Sequence, residues 1–405
     1  MSDFHQTGAI TTLHNLTRRP VAELEAEVAR FARIRPVTLT LPSLFSELEG
    51  DALPQIVEVL KDIPWISEIY IGLDRADAAQ YEYAKSFFSV LPQHHRVIWN
   101  DGPRMTAIHE RLDAEGLAPQ ELGKGRNVWY MMGYALAAQR SKAIALHDCD
   151  IVTYDRGLLA RLVYPVLNPD FPFLFAKGFY SRVANNTLNG RVCRLLVTPL
   201  LEALELTCGT HNYTRYLSSF RYPLSGEFAM RMEVVPDIRI PSDWGLEIGF
   251  LSELRRNTSQ RQICQVDIAD IYDHKHQDLS AEDASTGLSR MSTDIVKAIL
   301  RKLATEGMVI SKSTLRAVKA AYYRTALDMI ESYHADAVFN GLTLDRHKEE
   351  LAVELFAANI MAAGETYYDA PSATPFIPNW RRVYAAWPDV FREMAAAVEA
   401  DNAGE

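Results

Sequence analysis

Lys142-Ala143-Ile144-Ala145-Leu146-His147-Asp148-Cys149-Asp150 is the stretch on which the fold turns. Residues 143–146 are apolar without alternation, as in a strand covered on both faces. The run stops at two carboxylates two positions apart, which can point into one cleft. A hard divalent cation takes oxygen ligands and keeps positions for phosphate and water, so few protein carboxylates suffice where a diphosphate supplies the rest. An Asp-x-Asp triplet alone is more often a turn or loop cap. The buried strand in front of it is what gives it weight.

Working outward, apolar spacing at Val21, Leu24, Val28, Phe31 and Ala32 predicts a helix over residues 21–34. Residues 37–41, 69–73 and 96–99 read as strands, the first closed by Pro42. Residues 53–60, 76–90 and 127–139 read as helices. Alternating strands and helices imply βαβ units and a mainly parallel sheet. Ligands of such sheets bind at the carboxyl ends of strands, where Pro42-Ser43-Leu44, Leu73-Asp74 and Asp148-Cys149-Asp150 all fall. Residues 170–277 are mixed and loop-rich, with a strand-like run over 263–268. Beyond Asp278, residues 281–306, 312–333, 344–363 and 380–400 read as long helices. The expected division is an N-terminal helical segment (1–35), an α/β domain (36–278) and a helical C-terminal extension (279–405).

The bulk numbers exclude several classes. A 405-residue chain with 48% hydrophobic and 23% charged residues has an ordinary globular composition. A net charge of −10 argues against a nucleic-acid partner, though a local basic pocket can still hold a small anion. Cys149, Cys193, Cys208 and Cys264 form no CxxC pair, so neither a zinc cluster nor a disulfide framework is expected. Residues 1–19 carry no apolar signal core, and no run reaches the roughly 18 residues that span a bilayer. The expectation is a cytoplasmic protein without a membrane partner.

Four further patterns carry chemistry. Gly123-Lys124-Gly125-Arg126-Asn127 precedes a helix; its glycines let backbone approach a phosphate, and the helix start and Lys124 favour an anion. It lacks P-loop spacing. Tyr272-Asp273-His274-Lys275-His276 offers imidazole as a metal ligand and Lys275 and His276 to phosphate, or is a polar surface turn. Asn189-Gly190-Arg191-Val192 leads into a helix and suits a carboxylate or phosphate, or merely caps the helix. Pro223-Leu224-Ser225-Gly226-Glu227 and Asp243-Trp244-Gly245-Leu246-Glu247 place glycines beside acids, as where backbone packs on a ligand, or are turns with solvated acids.

The order of these motifs resembles the glucosyl-3-phosphoglycerate synthases, retaining glycosyltransferases of the GT-A fold. It covers Pro42-Ser43-Leu44, Gly123-Lys124-Gly125, Asp148-Cys149-Asp150, Gly190-Arg191-Val192, the 223–227 segment, Gly245-Leu246-Glu247-Ile248-Gly249 and His274. The resemblance implies a nucleotide-sugar-binding, Rossmann-like mainly parallel sheet, with a donor half over about 36–155 and an acceptor half over about 156–278. It implies transfer of glucose from UDP- or GDP-glucose to the 2-hydroxyl of 3-phosphoglycerate, giving a precursor of glucosylglycerate, with Mg²⁺ or Mn²⁺ as cofactor and a homodimer as assembly. Pro42, Ser43, Leu44, Asp74, Lys124, Asp148, Cys149, Leu224 and His276 would contact the donor. Asp150 and His274 would hold the metal, and Gly190, Arg191, Val192 and Cys193 the acceptor. Glu247, Asp150, Lys124 and Glu227 form the candidate catalytic set. This chain departs from the family pattern at Ser46, Cys193 and His276. A mannosyl donor, a sugar-phosphate nucleotidyltransferase and a non-catalytic nucleotide-sugar binder are the alternatives. The Gly-rich, Arg-containing loop usual after the first strand of nucleotidyltransferases is replaced here by Pro42-Ser43-Leu44-Phe45.

Overall fold

The computed structural model describes residues 6, 8–17, 19–273, 287–370 and 376–404. The first half alternates strands with one or two helices. Strand β1 (Thr11–Leu13) precedes helix α1 (Val21–Ala32); β2 (Val37–Leu44) is followed by α2 (Phe45–Leu48) and α3 (Ala52–Lys61), and β3 (Glu68–Asp74) by α4 (Ala78–Phe88). Then come β4 (His94–Trp99), α5 (Pro103–Ala114), α6 (Lys124–Ala138), β5 (Ala143–Leu146) and α7 (Arg156–Leu167). The middle region holds β6 (Phe175–Ala184), β7 (Thr187–Leu188), α8 (Thr198–Cys208), α9 (Asn212–Ser218), β8 (Phe228–Arg231), β9 (Ile240–Pro241), α10 (Leu246–Asn257) and β10 (Ile263–Tyr272). The remainder is α11 (Gly287–Thr305), α12 (Lys312–Phe339), α13 (Arg346–Asp369), β11 (Phe376–Ile377), α14 (Trp380–Ala386) and α15 (Val390–Ala403).

Among the described residues the main sheet runs β1-β10-β6-β8-β5-β2-β3-β4, with β7 attached to β6. Only β7 and β8 pair antiparallel within it. Strands β3 and β5 are buried at every position, which is why both read as continuous apolar runs. The mainly parallel α/β sheet and the helical C-terminal region agree with the sequence reading.

Three details differ. Strand β2 does not stop at Pro42 but continues to Leu44. Its pairing with β5 ends at Thr40 and Leu146, so beyond that point one flank of β2 is unpaired, where proline is tolerated. The polar N-terminal segment contributes β1, a parallel edge strand on β10, as well as α1. The helix expected over 380–400 breaks into α14 and α15 around Pro388, whose ring cannot continue a helix.

Helix α6 ties the C-terminal elements to the sheet. It is buried from Gly125 to Ala135. A Cβ on Gly133 would stand 2.1 Å from the Trp380 ring, so glycine lets Trp380 lie against the helix backbone. Trp380 stacks on Trp129 with centroids 3.9 Å apart, and its Nε1 donates to the Trp129 carbonyl at 3.1 Å.

Helix α15 covers the outer edge of β4. The Asn402 amide accepts from the Val97 N–H at 3.0 Å and donates to the Val97 carbonyl at 2.9 Å, standing in for a missing neighbouring strand. Asn402→Ala should leave that buried backbone pair unsatisfied and lower stability by about 1–3 kcal/mol. The check is the midpoint of urea unfolding, and an unmoved midpoint would mean water replaces the amide without cost.

Candidate active site

The carboxyl ends of β2, β3 and β5 converge on the motifs that the sequence singled out. Pro42, Ser43 and Leu44 are the last three residues of β2, and Leu44 lies in register with Asp74 at the end of β3. Ser43 is buried, whereas Leu44 is exposed. Asp148, Cys149 and Asp150 follow β5. Cys149 points into the core, where burial pushes its thiol up, so any contact it makes with a ligand is through its backbone.

Helix α6 starts earlier than Asn127. Its first bond runs from the Asn127 N–H to the Gly123 carbonyl at 3.1 Å, so the amides of Lys124, Gly125 and Arg126 have no partner within the helix. Gly125 is needed because a Cβ there would stand 2.3 Å from the Pro241 carbonyl oxygen on β9. The half-buried Lys124 Nζ lies 2.6 Å from Asp148 Oδ1 and 3.4 Å from Glu247 Oε1 in the first turn of α10. Burial opposes its charge, but Asp148 and Glu247 outweigh burial and hold the ammonium above the usual lysine range.

Glu227 enters from the start of β8. The turn before it packs directly on the Asp-x-Asp corner, since a Cβ on Gly226 would stand 2.4 Å from Asp148 Oδ2. Glu227 is not a solvated acid: it is fully buried and accepts from Tyr180 Oη at 2.7 Å and Tyr272 Oη at 2.5 Å. Burial, and then the nearby Asp148, push its carboxyl up. Leu224 is partly buried and packs on the core. Four acids and bases from four separate motifs, Lys124, Asp148, Glu227 and Glu247, thus meet in one place.

The turn at Gly190 is built for backbone donors. Gly190 has φ +78°, a left-handed conformation that glycine adopts freely. After Gly190 the chain turns helical and runs through a π-helical segment, Cys193–Val197, into α8; the Arg194 N–H makes the first bond, to the Gly190 carbonyl at 3.0 Å, so the amides of Arg191, Val192 and Cys193 have no partner within this helix. The side chains of Val192 and Cys193 are buried, and burial pushes the Cys193 thiol up to about 12. Those two residues can therefore serve a ligand only through their backbone. The turn is connected to Glu227 by a chain of rings: Tyr272 stacks on Tyr180 (3.7 Å), Tyr222 lies tilted beside Tyr180 (5.1 Å), and Tyr222 Oη accepts from Arg182 Nη1 at 3.3 Å.

Asp74 is held differently from the rest. It is 1% exposed, and Arg126 Nε donates to its Oδ1 at 3.0 Å, with Arg126 Nη2 closer still. Arg126 Nη2 also reaches Asp101 Oδ1 at 2.9 Å. Burial pushes the Asp74 carboxyl up and Arg126 opposes it. Arg126 enters the sequence reading only as part of the 123–127 motif, without a role, and Lys177 and Arg182 escape it. Lys177 is the informative omission, because a lysine inside the apolar run Phe175-Ala176-Lys177-Gly178-Phe179 signals a buried charge with a purpose. Its Nζ donates to the Ser225 carbonyl at 2.5 Å, and burial pulls its ammonium down to about 8.

Asp150 is half-buried and presents oxygen donors of the kind hard divalent cations take. Among the described residues no three His, Cys, Asp or Glu side chains gather as a closed metal cage. His274 and His276, the other expected metal and donor contacts, lie outside the described residues.

No protein-family model matches the chain. The glucosyl-3-phosphoglycerate synthase of Persephonella marina is 44% identical over 405 residues, spanning 100% of both chains. That of Methanococcoides burtonii is 39% identical, spanning 98% of both. The chain belongs to the glucosyl-3-phosphoglycerate synthase family. The Mycobacterium tuberculosis glucosyl-3-phosphoglycerate synthase, crystallised with Mn²⁺, UDP-glucose and phosphoglyceric acid, shares the fold at TM-score 0.53 and 20% identity, over 74% of this chain and 89% of that one. A mannosyl-3-phosphoglycerate synthase from Rubrobacter xylanophilus is as similar in fold, at TM-score 0.52 and 22% identity, over 72% and 85% of the two chains. Fold likeness therefore does not separate glucosyl from mannosyl transfer within this group, whereas the two end-to-end sequence relatives are both glucosyl synthases. Among the described residues no helix is long and apolar enough to cross a membrane.

Proposed function

We propose that this chain transfers glucose from a nucleotide sugar, UDP- or GDP-glucose, to the 2-hydroxyl of 3-phosphoglycerate, with retained anomeric configuration. The observation that carries this reading is end-to-end identity to two glucosyl-3-phosphoglycerate synthases. The site geometry supports it. Pro42 and Leu44 stand at the nucleoside end of the cleft, with Ser43 and the Arg126-bound Asp74 buried behind them. Lys124, with the amides at the start of α6 that have no partner within the helix, faces the donor diphosphate and stabilises charge as it leaves. Asp148 fixes Lys124 and contacts the donor sugars. Asp150, with His274, would hold the divalent metal, Mg²⁺ or Mn²⁺, which when bound neutralises the diphosphate. Leu224 packs beside the sugar. Glu227, held by two tyrosine hydroxyls, and Glu247, beside Lys124, orient the sugar and the acceptor hydroxyl. The protein acts in the cytoplasm as a homodimer.

The decisive experiment incubates purified protein with 3-phosphoglycerate, Mg²⁺ or Mn²⁺ and UDP-, GDP- and ADP-linked glucose and mannose, and identifies the product by NMR. A mannosyl product formed in preference would overturn the donor assignment, and no product with any donor would leave a binding protein. Arg191 and the amides of residues 191–193 hold the acceptor's anionic groups. Arg191→Ala should raise the acceptor KM about ten- to a hundredfold, the worth of a hydrogen bond to a charged group, while the donor KM stays put. An unchanged acceptor KM removes Arg191 from that site.

A further inference from the structure

The acceptor turn is not held by the α/β sheet alone. The hairpin before it turns at Asn185 and Asn186, both left-handed at φ +48° and +58°. It is pinned to the loop between α12 and α13: the Thr343 N–H donates to the Asn186 carbonyl at 2.8 Å, and the Leu188 N–H to the Thr343 carbonyl at 3.3 Å. Arg194 Nε donates back to the Asn189 carbonyl at 2.8 Å, and its guanidinium lies 4.8 Å from the centroid of the Tyr333 ring on α12.

At the centre of this contact stands Glu349 on α13, 2% exposed. Its Oε1 accepts from Arg191 Nε at 2.7 Å, and its Oε2 lies 2.8 Å from Arg194 Nη1. One buried carboxylate thus serves two guanidiniums and leaves the group of three with one unit of positive charge. Arg191 remains partly exposed, with its side chain at 28%. A bond through Nε fixes the plane of the fork and leaves the Nη atoms for an anion outside.

We propose that Glu349 is a positioning residue, through which the helical C-terminal region holds Arg191 in the orientation that receives the acceptor's phosphate or carboxylate. This rests on the reading of residues 190–193 as the acceptor turn. A guanidinium already fixed loses less freedom on binding than a mobile one. Removing Glu349 adds net positive charge at the turn, which on charge alone would tighten anion binding. Positioning and bare charge therefore predict opposite signs.

The test is steady-state kinetics with both substrates varied, on Glu349→Gln and Glu349→Asp beside Arg191→Ala. Glu349→Gln should raise the acceptor KM about tenfold, with donor KM and kcat within about twofold. Glu349→Asp keeps the buried charge but is too short to bridge both arginines, and should raise the acceptor KM about threefold. It also stands in if the glutamine variant fails to fold. A lowered or unchanged acceptor KM in the variants, with Arg191→Ala still impaired, overturns the role of Glu349 alone. An unchanged acceptor KM in Arg191→Ala overturns the acceptor reading and this proposal together. A parallel fall in kcat and rise in both KM values would mark a structural role and overturn it too.

Discussion

Lys124→Met should lower kcat by about 10²–10³, the cost of removing one preorganised charge from a developing anion. The ammonium is held by Asp148 at 2.6 Å and Glu247 at 3.4 Å, which fixes its place in the cleft. Its stability effect should be small, because the side chain is 34% exposed and pairs that reach solvent are worth about 0–1 kcal/mol. Activity and stability should therefore separate: kcat collapses while the thermal midpoint moves little. Lys124→Arg should recover only part of the loss, since a planar fork does not replace a compact charge between two carboxylates. A methionine variant within tenfold of the parent kcat would place the leaving-group charge elsewhere.

Arg126→Leu should act in the opposite way, on stability first. Arg126 and Asp74 are 5% and 1% exposed. Removing the guanidinium leaves a buried carboxylate with, among the described residues, Asn100 Nδ2 at 3.3 Å as its remaining donor, and should cost about 3–5 kcal/mol. The sign of the pH dependence follows. Burial already raises the Asp74 carboxyl, and among the described residues Arg126 is the cation that opposes it. Folding then favours the protonated form, so the deficit is largest at neutral pH and shrinks as pH falls towards the ordinary aspartate range. The companion double variant, Asp74→Leu with Arg126→Leu, replaces the pair by apolar groups and should regain most of the lost stability. Urea unfolding at neutral and mildly acidic pH reads both effects. A single variant no less stable than the parent, or a double variant no better than the single, would refute a buried-pair role.

Part of the candidate site was legible because Asp74 closes, and Asp148 follows, strands buried on both faces, and Lys124, Arg191 and Glu247 lie beside glycines at helix starts. Residues 69–73 and 143–146 announce themselves by apolar continuity, and the acids that follow are then in the cleft by topology. What escaped was set by partners distant in sequence. Strand β1 is three residues long, and only its pairing with β10 some 250 positions away makes it a strand. Arg126 reads as one member of the 123–127 motif, with no role of its own, until Asp74 and Asp101 surround it. Glu349, flanked by Lys348 and Glu350, is indistinguishable in sequence from a solvated helix face. Pro388 did carry a signal, since proline ends helices, but the long apolar period around it masked the break. His274 and His276 fall outside the described residues.

The Asn402 amide on Val97 has a consequence for how copies of this chain behave in concentrated solution. An open strand edge recruits strands from other molecules, and β4 is the rim of the sheet. The last helix is thus a guard on that rim. Fraying of α15, even with the core and the catalytic cleft intact, would turn a well-folded enzyme into a template for edge-to-edge aggregation.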